Sequence, residues 1–179
     1  MKKIILAAIL FCFVPGLMMA QERDVNSRDL RGKVVYEDDE VVFRQLDEHT
    51  WIGNGHRTYN ESLYLVEGND RAVLIDAGTR VPGLDKIVAG ITSKPVTMIL
   101  THGHGDHVGG VGPFPEVWIG PADEQMLRNS QRRYQGQIKH LTDGETIDLG
   151  GRKLEVMFTP GHTSGSVTFF DKANHYGFS

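Results

Sequence analysis

The stretch "VTMILTHGHGDHVGG", residues 96–110, joins an apolar, β-rich run to a cluster of polar side chains. The cluster places His102, His104, Asp106 and His107 within six positions, in a chain that has eight histidines. Imidazole and carboxylate groups are poor core material, so packing does not explain why they are crowded together. The apolar run predicts a buried strand that ends at the cluster. The stretch therefore predicts a metal site at the end of a strand.

The spacing of the donors indicates the kind of metal site. His102 and His104 are two residues apart in chain that starts extended, so both side chains point to the same side, whereas a metal-binding helix spaces its histidines four apart. Gly103 and Gly105 leave room for the backbone to curve around an ion. Nitrogen and oxygen donors without sulfur favour zinc, with iron or manganese as substitutes. Four donors in six residues are too crowded for one tetrahedral ion, so we expect two ions to share the loop.

A first ion that takes His102 and His104 needs a third donor from elsewhere. The segment "TPGHTSGS", residues 159–166, places His162 in a tight turn after the predicted strand "KLEVMF", residues 153–158. This repeats the pattern of a strand followed by a loop histidine. Three histidines that leave one coordination position open predict a catalytic site rather than a structural one. The remaining histidines stand beside charged or turn residues, and we expect them to be solvated or locally bonded: His49, His56, His140 and His175.

Residues 1–20 have the order of a secretory signal peptide, with two lysines, an apolar run and a small residue before a polar chain. The apolar run 4–14 is shorter than the ~20 residues that a membrane-spanning helix needs. We expect cleavage after Ala20, a periplasmic or secreted protein, and no stable membrane anchor on the mature chain. Cys12 is the one cysteine of the sequence and leaves with the signal, which excludes disulfides and thiolate ligands from residues 21–179.

The charge and length of the mature chain limit its partners and its organisation. Removing Lys2 and Lys3 from the 19 basic residues leaves 17 against 23 acidic ones, a formal charge of −6. This balance does not favour sequence-independent nucleic-acid binding, so we expect a small-molecule substrate and no nucleic-acid partner. The length fits one domain with its own core. We expect a polar lead-in over 21–39 and one domain over 40–179.

Apolar periodicity and turn residues predict the order of the secondary structure. Strand-like runs dominate, and two segments have helical spacing, which favours an α/β or α+β sandwich of sheets covered by helices. The predicted elements are one or two strands over 33–54, strands at 62–66 and 72–75 around a turn at 68–70, a helix at 84–91, strands at 96–100 and 116–120, a helix at 121–133, a hairpin over 145–160 that turns at Gly150–Gly151, a strand at 166–170 and a strand at 176–179.

With "LIDAG" at 74–78, "THGHGDH" at 101–107 and "TPGHTSGS" at 159–166, the sequence resembles the metallo-β-lactamase superfamily of metal-dependent hydrolases. The resemblance extends from about residue 40 to the end of the chain. It implies a four-layer αβ/βα sandwich with two sheets face to face and the metals at one edge. It also implies a first zinc ion on His102, His104 and His162, a second on Asp106 and His107, and a role for Asp76 in orienting the histidine loop from behind.

Two further metal ligands of the family pattern have no match in this sequence. Family members follow the strand matching 166–170 with an aspartate that bridges both metals, and have a last histidine further on. Asp171 and His175 lie near the expected position but lack the small-Gly-Asp context at a strand end. We therefore expect a domain that is incomplete at its C-terminus, as a fragment or a natural truncation, with the second half of the sandwich cut short. We expect weak or absent binding of the second ion.

For the function, the resemblance implies hydrolysis by a metal-bound hydroxide whose pKa falls to about 7. Asp106 is expected to orient this hydroxide and accept its proton. The implied substrates are esters, lactones, thioesters or amides, β-lactams included, and export favours exogenous molecules over a cytosolic glutathione thioester. His56 and Tyr59 are expected to line the pocket by family position. Two alternatives stay open: a non-haem iron redox enzyme of the same fold, as persulfide dioxygenases are, and an inactive fragment with a partial metal site.

Overall fold

Two β-sheets pack face to face in the computed structural model, which describes residues 32–56 and 61–179. The larger sheet has eight strands in chain order, β1 to β8, and the smaller has four in the order β12-β11-β10-β9. The strands are β1 (Lys33–Glu37), β2 (Val41–Asp47), β3 (Thr50–Gly55), β4 (Ser62–Glu67), β5 (Ala72–Ile75), β6 (Val96–Ile99), β7 (Glu116–Ile119), β8 (Gln137–His140), β9 (Thr146–Asp148), β10 (Lys153–Phe158), β11 (Val167–Asp171) and β12 (Tyr176–Phe178).

The helices of the described residues pack on the outer face of the larger sheet. They are α1 (Leu84–Ile91), α2 (Gly105–Val108) and α3 (Glu124–Ser130), and a 3₁₀ turn, Pro121–Asp123, leads into α3. Ile87 of α1 and Leu127 of α3 are buried in one core with Leu74 and Met98 of the sheet. Burial of such side chains stabilises the fold by about 1.5–3 kcal/mol each before the cost in chain entropy, so this core anchors the helices.

A second core lies between the two sheets. Val73 and Ile75 of β5 contribute to it from the larger sheet, and Leu154 and Phe169 contribute from the smaller one. Alternation along β10 explains why the smaller sheet is one-sided, because Leu154 is buried while Lys153 faces solvent. Helix, sheet and sheet thus form three layers of the expected sandwich.

Strand direction in the larger sheet brings several chain segments to one edge. Strands β1 to β5 pair antiparallel, whereas β5, β6, β7 and β8 pair parallel. The carboxyl ends of parallel strands meet at the same edge of a sheet, where ligands of such sheets usually bind. Asp76 follows β5, His102 follows β6 and Asp123 follows β7. The topology therefore gathers three polar segments at one edge.

Most of the predicted elements are present, and the differences have local causes. The segment 33–54 forms three strands instead of one or two, because the chain turns a second time between Asp47 and Thr50. Its first strand, β1, lies inside the predicted lead-in and pairs with β2. The predicted helix over 121–133 ends at Ser130, where Gln131 leaves the helical region with φ −121° and ψ 60°.

Strand β8 was not predicted, because it is a short edge strand with three of its four residues exposed and little apolar signal. The proposed signal peptide, residues 1–20, lies outside the described residues. No helix in the described part of the chain combines the length and the apolar character needed to cross a membrane.

A buried ion pair in the smaller sheet also bonds to the larger sheet through its arginine. Arg152 donates from Nε to Asp171 Oδ2 at 2.6 Å and from Nη2 to Thr50 Oγ1 at 2.9 Å. Its Nη1 also donates to the carbonyl oxygen of His49 at 2.9 Å. Asp171 is fully buried and also accepts hydrogen bonds from Asn174. This aspartate therefore anchors Arg152 and is committed to partners other than the histidine cluster.

Candidate metal centre

Three histidines from two loops converge at the carboxyl edge of the larger sheet. His102 and His104 follow β6, and the backbone of His104 is still extended, with φ −68° and ψ 150°. His162 lies in the turn after β10, where Gly161 N donates to Thr163 O at 3.0 Å. The backbone of Val167 donates to Thr101 O at 2.8 Å and so ties the second loop to the first. Local chain geometry thus places both loops side by side.

The ligand atoms of His102, His104 and His162 all lie within 4.8 Å of one another. His104 Nδ1 and His162 Nε2 are 3.0 Å apart. His102 Nε2 is buried and has no hydrogen-bond partner among the described residues. A buried polar atom without a partner is unfavourable, and an ion on three imidazole nitrogens would satisfy it. The predicted triad is therefore assembled with a donor set that fits zinc or a related divalent metal.

Asp76 lies behind the triad and determines which nitrogens are free. Its Oδ1 accepts from the backbone N–H of Thr101 at 2.8 Å, and its Oδ2 accepts from the Thr101 hydroxyl at 2.7 Å. The hydroxyl of Thr101 has only one proton and donates it to Asp76. Toward His102 Nδ1, 3.0 Å away, it can therefore only accept a hydrogen bond, so Nδ1 carries the hydrogen. The Nε2 atom of His102 then carries the lone pair that a metal needs. Asp76 holds a left-handed φ of 64°, a backbone conformation that is enriched at functional sites in non-glycine residues.

The same carboxylate orients His107. His107 Nδ1 lies 2.8 Å from Asp76 Oδ2, which assigns the proton to Nδ1 and leaves Nε2 free. His107 Nε2 is 3.6 Å from Asp106 Oδ2. Two ligands on one tetrahedral ion with bonds of about 2.1 Å lie roughly 3.4 Å apart. Asp106 and His107 are therefore spaced as two ligands of a second ion, but no third donor joins them in the described ranges.

The protonation of the histidines follows from their surroundings. Burial, reinforced by the charges of nearby histidines, lowers the pKa of His102 to about 4. His102 is consequently neutral near pH 7, the form that binds metal. Burial alone would lower the pKa of His107, but the hydrogen bond to Asp76 and the charges of Asp76, Asp106 and Glu61 raise it above its ordinary value of 6.5.

Three residues near the site were not predicted from the sequence. Thr101 relays the hydrogen bond of Asp76 to His102, and Asp123 is a buried carboxylate between the two histidine loops. Glu61 is also buried, and its Oε1 accepts from Thr79 N at 2.5 Å. Thr101 directly precedes the histidine cluster, and this position could have marked it as a residue of the site. Asp123 directly precedes a helix and Glu61 directly precedes a strand. Neither position distinguishes a functional residue from an ordinary one in the sequence.

The other histidines lie apart from the triad. His49 contacts Glu67 and His140 contacts Glu124, so both are locally bonded on the surface as expected. His56 is described, with Nε2 3.9 Å from a carboxylate oxygen of Glu37, whereas Tyr59 lies outside the described residues. A pocket-lining role for His56 and Tyr59 therefore stays a prediction.

Comparison with known proteins shows the family of this chain. Residues 56–179 match the family model described as the metallo-beta-lactamase superfamily. The hydroxyacylglutathione hydrolase of Salmonella typhi is 37% identical over 124 residues, which cover 65% of this chain and 46% of that protein. The enzyme of the same name from Xylella fastidiosa strain M23 is 31% identical over 110 residues, which cover 59% of this chain and 39% of that protein. The chain spans less than half the length of these curated relatives.

Solved structures support the fold. The metallo-beta-lactamase from Pontibacter korlensis superposes with a TM-score of 0.62 at 24% identity, covering 75% of this chain and 68% of that one. The protein TTHA1623, solved in a di-iron-bound form, superposes with a TM-score of 0.55 at 29% identity, covering 67% and 66%. These likenesses confirm the predicted α/β sandwich. Because the family model matches more than half of its residues, the chain belongs to the metallo-β-lactamase superfamily.

Proposed function

We propose that this chain carries the metal-binding part of a hydrolase that cleaves an acyl bond. The observation that carries the proposal is the triad of His102, His104 and His162, in which a buried imidazole nitrogen without a hydrogen-bond partner lies within 4.8 Å of a ligand atom of each of the other two histidines. A site that offers three protein donors leaves a position open for water or substrate, as catalytic zinc sites do. The names of the curated relatives, which are hydrolases, support the same reading.

The residues of the site would have different roles in the reaction. A zinc ion, when bound, supplies Lewis acidity and lowers the pKa of a coordinated water to about 7. His102, His104 and His162 would hold it, and Asp76 keeps His102 in the tautomer that leaves Nε2 free to coordinate. Asp106, whose side chain is 28% exposed, would act as the general base that accepts a proton from the attacking water.

Among acyl substrates we place thioesters first. The relatives from Salmonella typhi and Xylella fastidiosa are both named for hydroxyacylglutathione, a thioester. Esters, lactones and amides, β-lactams included, follow, since the same polarisation of a carbonyl serves all of them. This order departs from the expectation drawn from export, which favoured exogenous esters, lactones and amides.

Zinc is the first metal that we propose, because the donors are imidazole and carboxylate without sulfur. Iron is the second, and it carries a second candidate function, a redox enzyme of the same fold. The observation in its favour is that TTHA1623, at 29% identity, was solved with two iron ions. Elemental analysis of protein purified without added metal distinguishes the two. Iron as the dominant ion would replace the hydrolase with the redox candidate.

A substrate panel tests the hydrolase. Purified protein is loaded with zinc and offered a hydroxyacylglutathione, an aryl ester, a lactone and a β-lactam, and product release is followed. We expect turnover of at least one acyl substrate, and loss of both zinc and turnover in His102→Ala. His49→Ala is the matched control, because this histidine is exposed and bonds to Glu67, which pairs with Ala72 at the start of β5, the end of the strand away from the site. Zinc retention by His102→Ala, or no turnover by a zinc-loaded wild type, would contradict the proposal.

We also propose that residues 1–20 direct export, on the sequence pattern alone. Expression of the full chain in a Gram-negative host should yield periplasmic protein whose first residue is Gln21. Unprocessed protein that stays in the cytoplasm would contradict this proposal and would leave the metal site untouched.

A further inference from the structure

Asp123 stands between the two loops that carry the triad. This residue is only 1% exposed, and both oxygens of its carboxylate accept hydrogen bonds. Oδ2 accepts from the backbone N–H of Gly103 at 2.9 Å and from the hydroxyl of Thr163 at 2.6 Å. Oδ1 accepts from the backbone N–H of Gly165 at 2.8 Å. One carboxylate thus bonds to both loops.

The bonded groups are the immediate neighbours of the metal-binding histidines. Gly103 lies between His102 and His104 in the chain, and Thr163 directly follows His162. A displacement of the carboxylate would therefore shift the backbone at all three histidines. No other carboxylate among the described residues bonds to both of these loops.

Two glycines make this close approach possible. A Cβ at Gly165 would lie 2.6 Å from the backbone nitrogen of Asp123 and 2.7 Å from its carboxylate carbon. A Cβ at Gly103 would lie 3.0 Å from the carbonyl oxygen of Asp123 and 2.9 Å from Met126 Cβ. Real Cβ atoms are essentially never found below 3.0 Å from such neighbours, so both loops need glycine where they touch the start of α3. Both loops therefore pack closely against Asp123, one against its carboxylate and the other against its backbone carbonyl.

We propose that Asp123 is a positioning residue that sets the spacing of the three histidines, so that metal affinity depends on it. The inference rests on the proposed metal-binding function of His102, His104 and His162. Asp123 touches neither metal nor substrate and acts through the two loops. Three donors on two anionic oxygens form short, charge-assisted bonds, which are about twice as strong as neutral ones. This strength holds the loops in register before an ion arrives.

The amide of asparagine cannot replace these bonds. Its single oxygen can serve either Gly165 or the pair Gly103 and Thr163, and its NH₂ group then faces at least one N–H donor. Partners in the outer shell of a metal site typically change metal affinity 10–100-fold when they are mutated. We expect Asp123→Asn to weaken metal binding by about that factor.

The experiment compares metal affinity by chelator competition in the full chain, and records the visible spectrum after loading with cobalt(II). Asp123→Asn should bind metal 10–100-fold more weakly and should show an altered cobalt spectrum. Asp171→Asn is the matched control, a buried aspartate with several hydrogen bonds that lies away from the triad. It should lower thermal stability without changing the metal affinity or the spectrum.

A second pair of variants keeps the test decisive if Asp123→Asn fails to fold. Thr163→Val removes one of the three donors and should weaken metal binding several-fold, whereas Thr163→Ser keeps the hydroxyl and should restore it. Equal affinity and identical cobalt spectra in wild type, Asp123→Asn and Thr163→Val would overturn the inference. Failure of the wild type itself to bind metal would instead overturn the proposed function, so the two failures are distinguishable.

Discussion

Replacing Asp76 by asparagine should impair both halves of the metal centre, because one oxygen of this carboxylate orients two histidines. Asparagine tolerates the left-handed φ of 64° that this position requires, so the backbone is expected to stay in place. Its oxygen can keep the bond from the backbone N–H of Thr101. Its NH₂ group then occupies the position of Oδ2, which accepts from Thr101 and His107 in the wild type.

The consequence is a reversal of both tautomers. The hydroxyl of Thr101 would accept from the new amide and donate its proton to His102 Nδ1, so that Nε2 would carry the hydrogen. His107 Nδ1 would likewise become an acceptor, and its Nε2 would be protonated. Metal binding then has to break these bonds, and leaving a buried donor without its partner costs about 1–3 kcal/mol. Since 1.4 kcal/mol is a factor of ten, we expect metal affinity to fall about 10–100-fold.

Two measurements check this prediction. Chelator competition gives the metal affinity of wild type and Asp76→Asn, and ¹⁵N NMR of the metal-free proteins reports which ring nitrogen of each histidine carries the proton. Thr101→Val is a useful partner variant, because it removes the relay to His102 and leaves the bond of His107 to Asp76 intact. Unchanged affinity in Asp76→Asn together with a proton on Nδ1 of both histidines would refute the reasoning.

Three further predictions concern the number of bound ions, two glycines and the buried ion pair. Titration of metal-free protein should show one tightly bound ion per chain, because within residues 32–56 and 61–179 the triad alone provides three donors, and two equally tight ions would contradict this. Gly103→Ala should lower the free energy of unfolding, measured with urea, by about 1–3 kcal/mol, because the added methyl group would clash with Met126. Gly90→Ala should raise it by about 0.5–1 kcal/mol in the same assay, because this position on α1 faces open space and alanine favours the helix. Arg152→Ala should destabilise by about 3–5 kcal/mol in the same assay, because Asp171 would be buried without its partner, and a loss below about 1 kcal/mol would contradict this.

Much of the fold could be predicted because its signals are local. The strands β4 and β5, the helix α1 and the hairpin of β9 and β10 all have clear periodicity and turn residues between them. Strand β8 escaped prediction because an exposed edge strand needs few apolar residues. The pairing of β5 to β8 in parallel also escaped prediction, since it depends on how the helices cross the sheet and not on any single segment.

The candidate metal-binding triad could be predicted from the sequence because its donors repeat one local pattern, a strand followed by a loop histidine. That pattern identified His162 as a partner of His104 although 58 residues separate them. The geometry of the second pair also began locally, since Asp106 and His107 are adjacent. The sequence by itself therefore determined which side chains offer donors.

Only the tertiary structure decided how those donors are held. The bonds of Asp123 span 20 to 42 residues of chain, and the bond of Asp76 to His107 spans 31. Such contacts leave no periodic trace, because they arise only when parallel strands bring their carboxyl ends to one edge. The sequence supplied the candidate metal ligands, and the sheet topology decided their tautomers, their spacing and their burial.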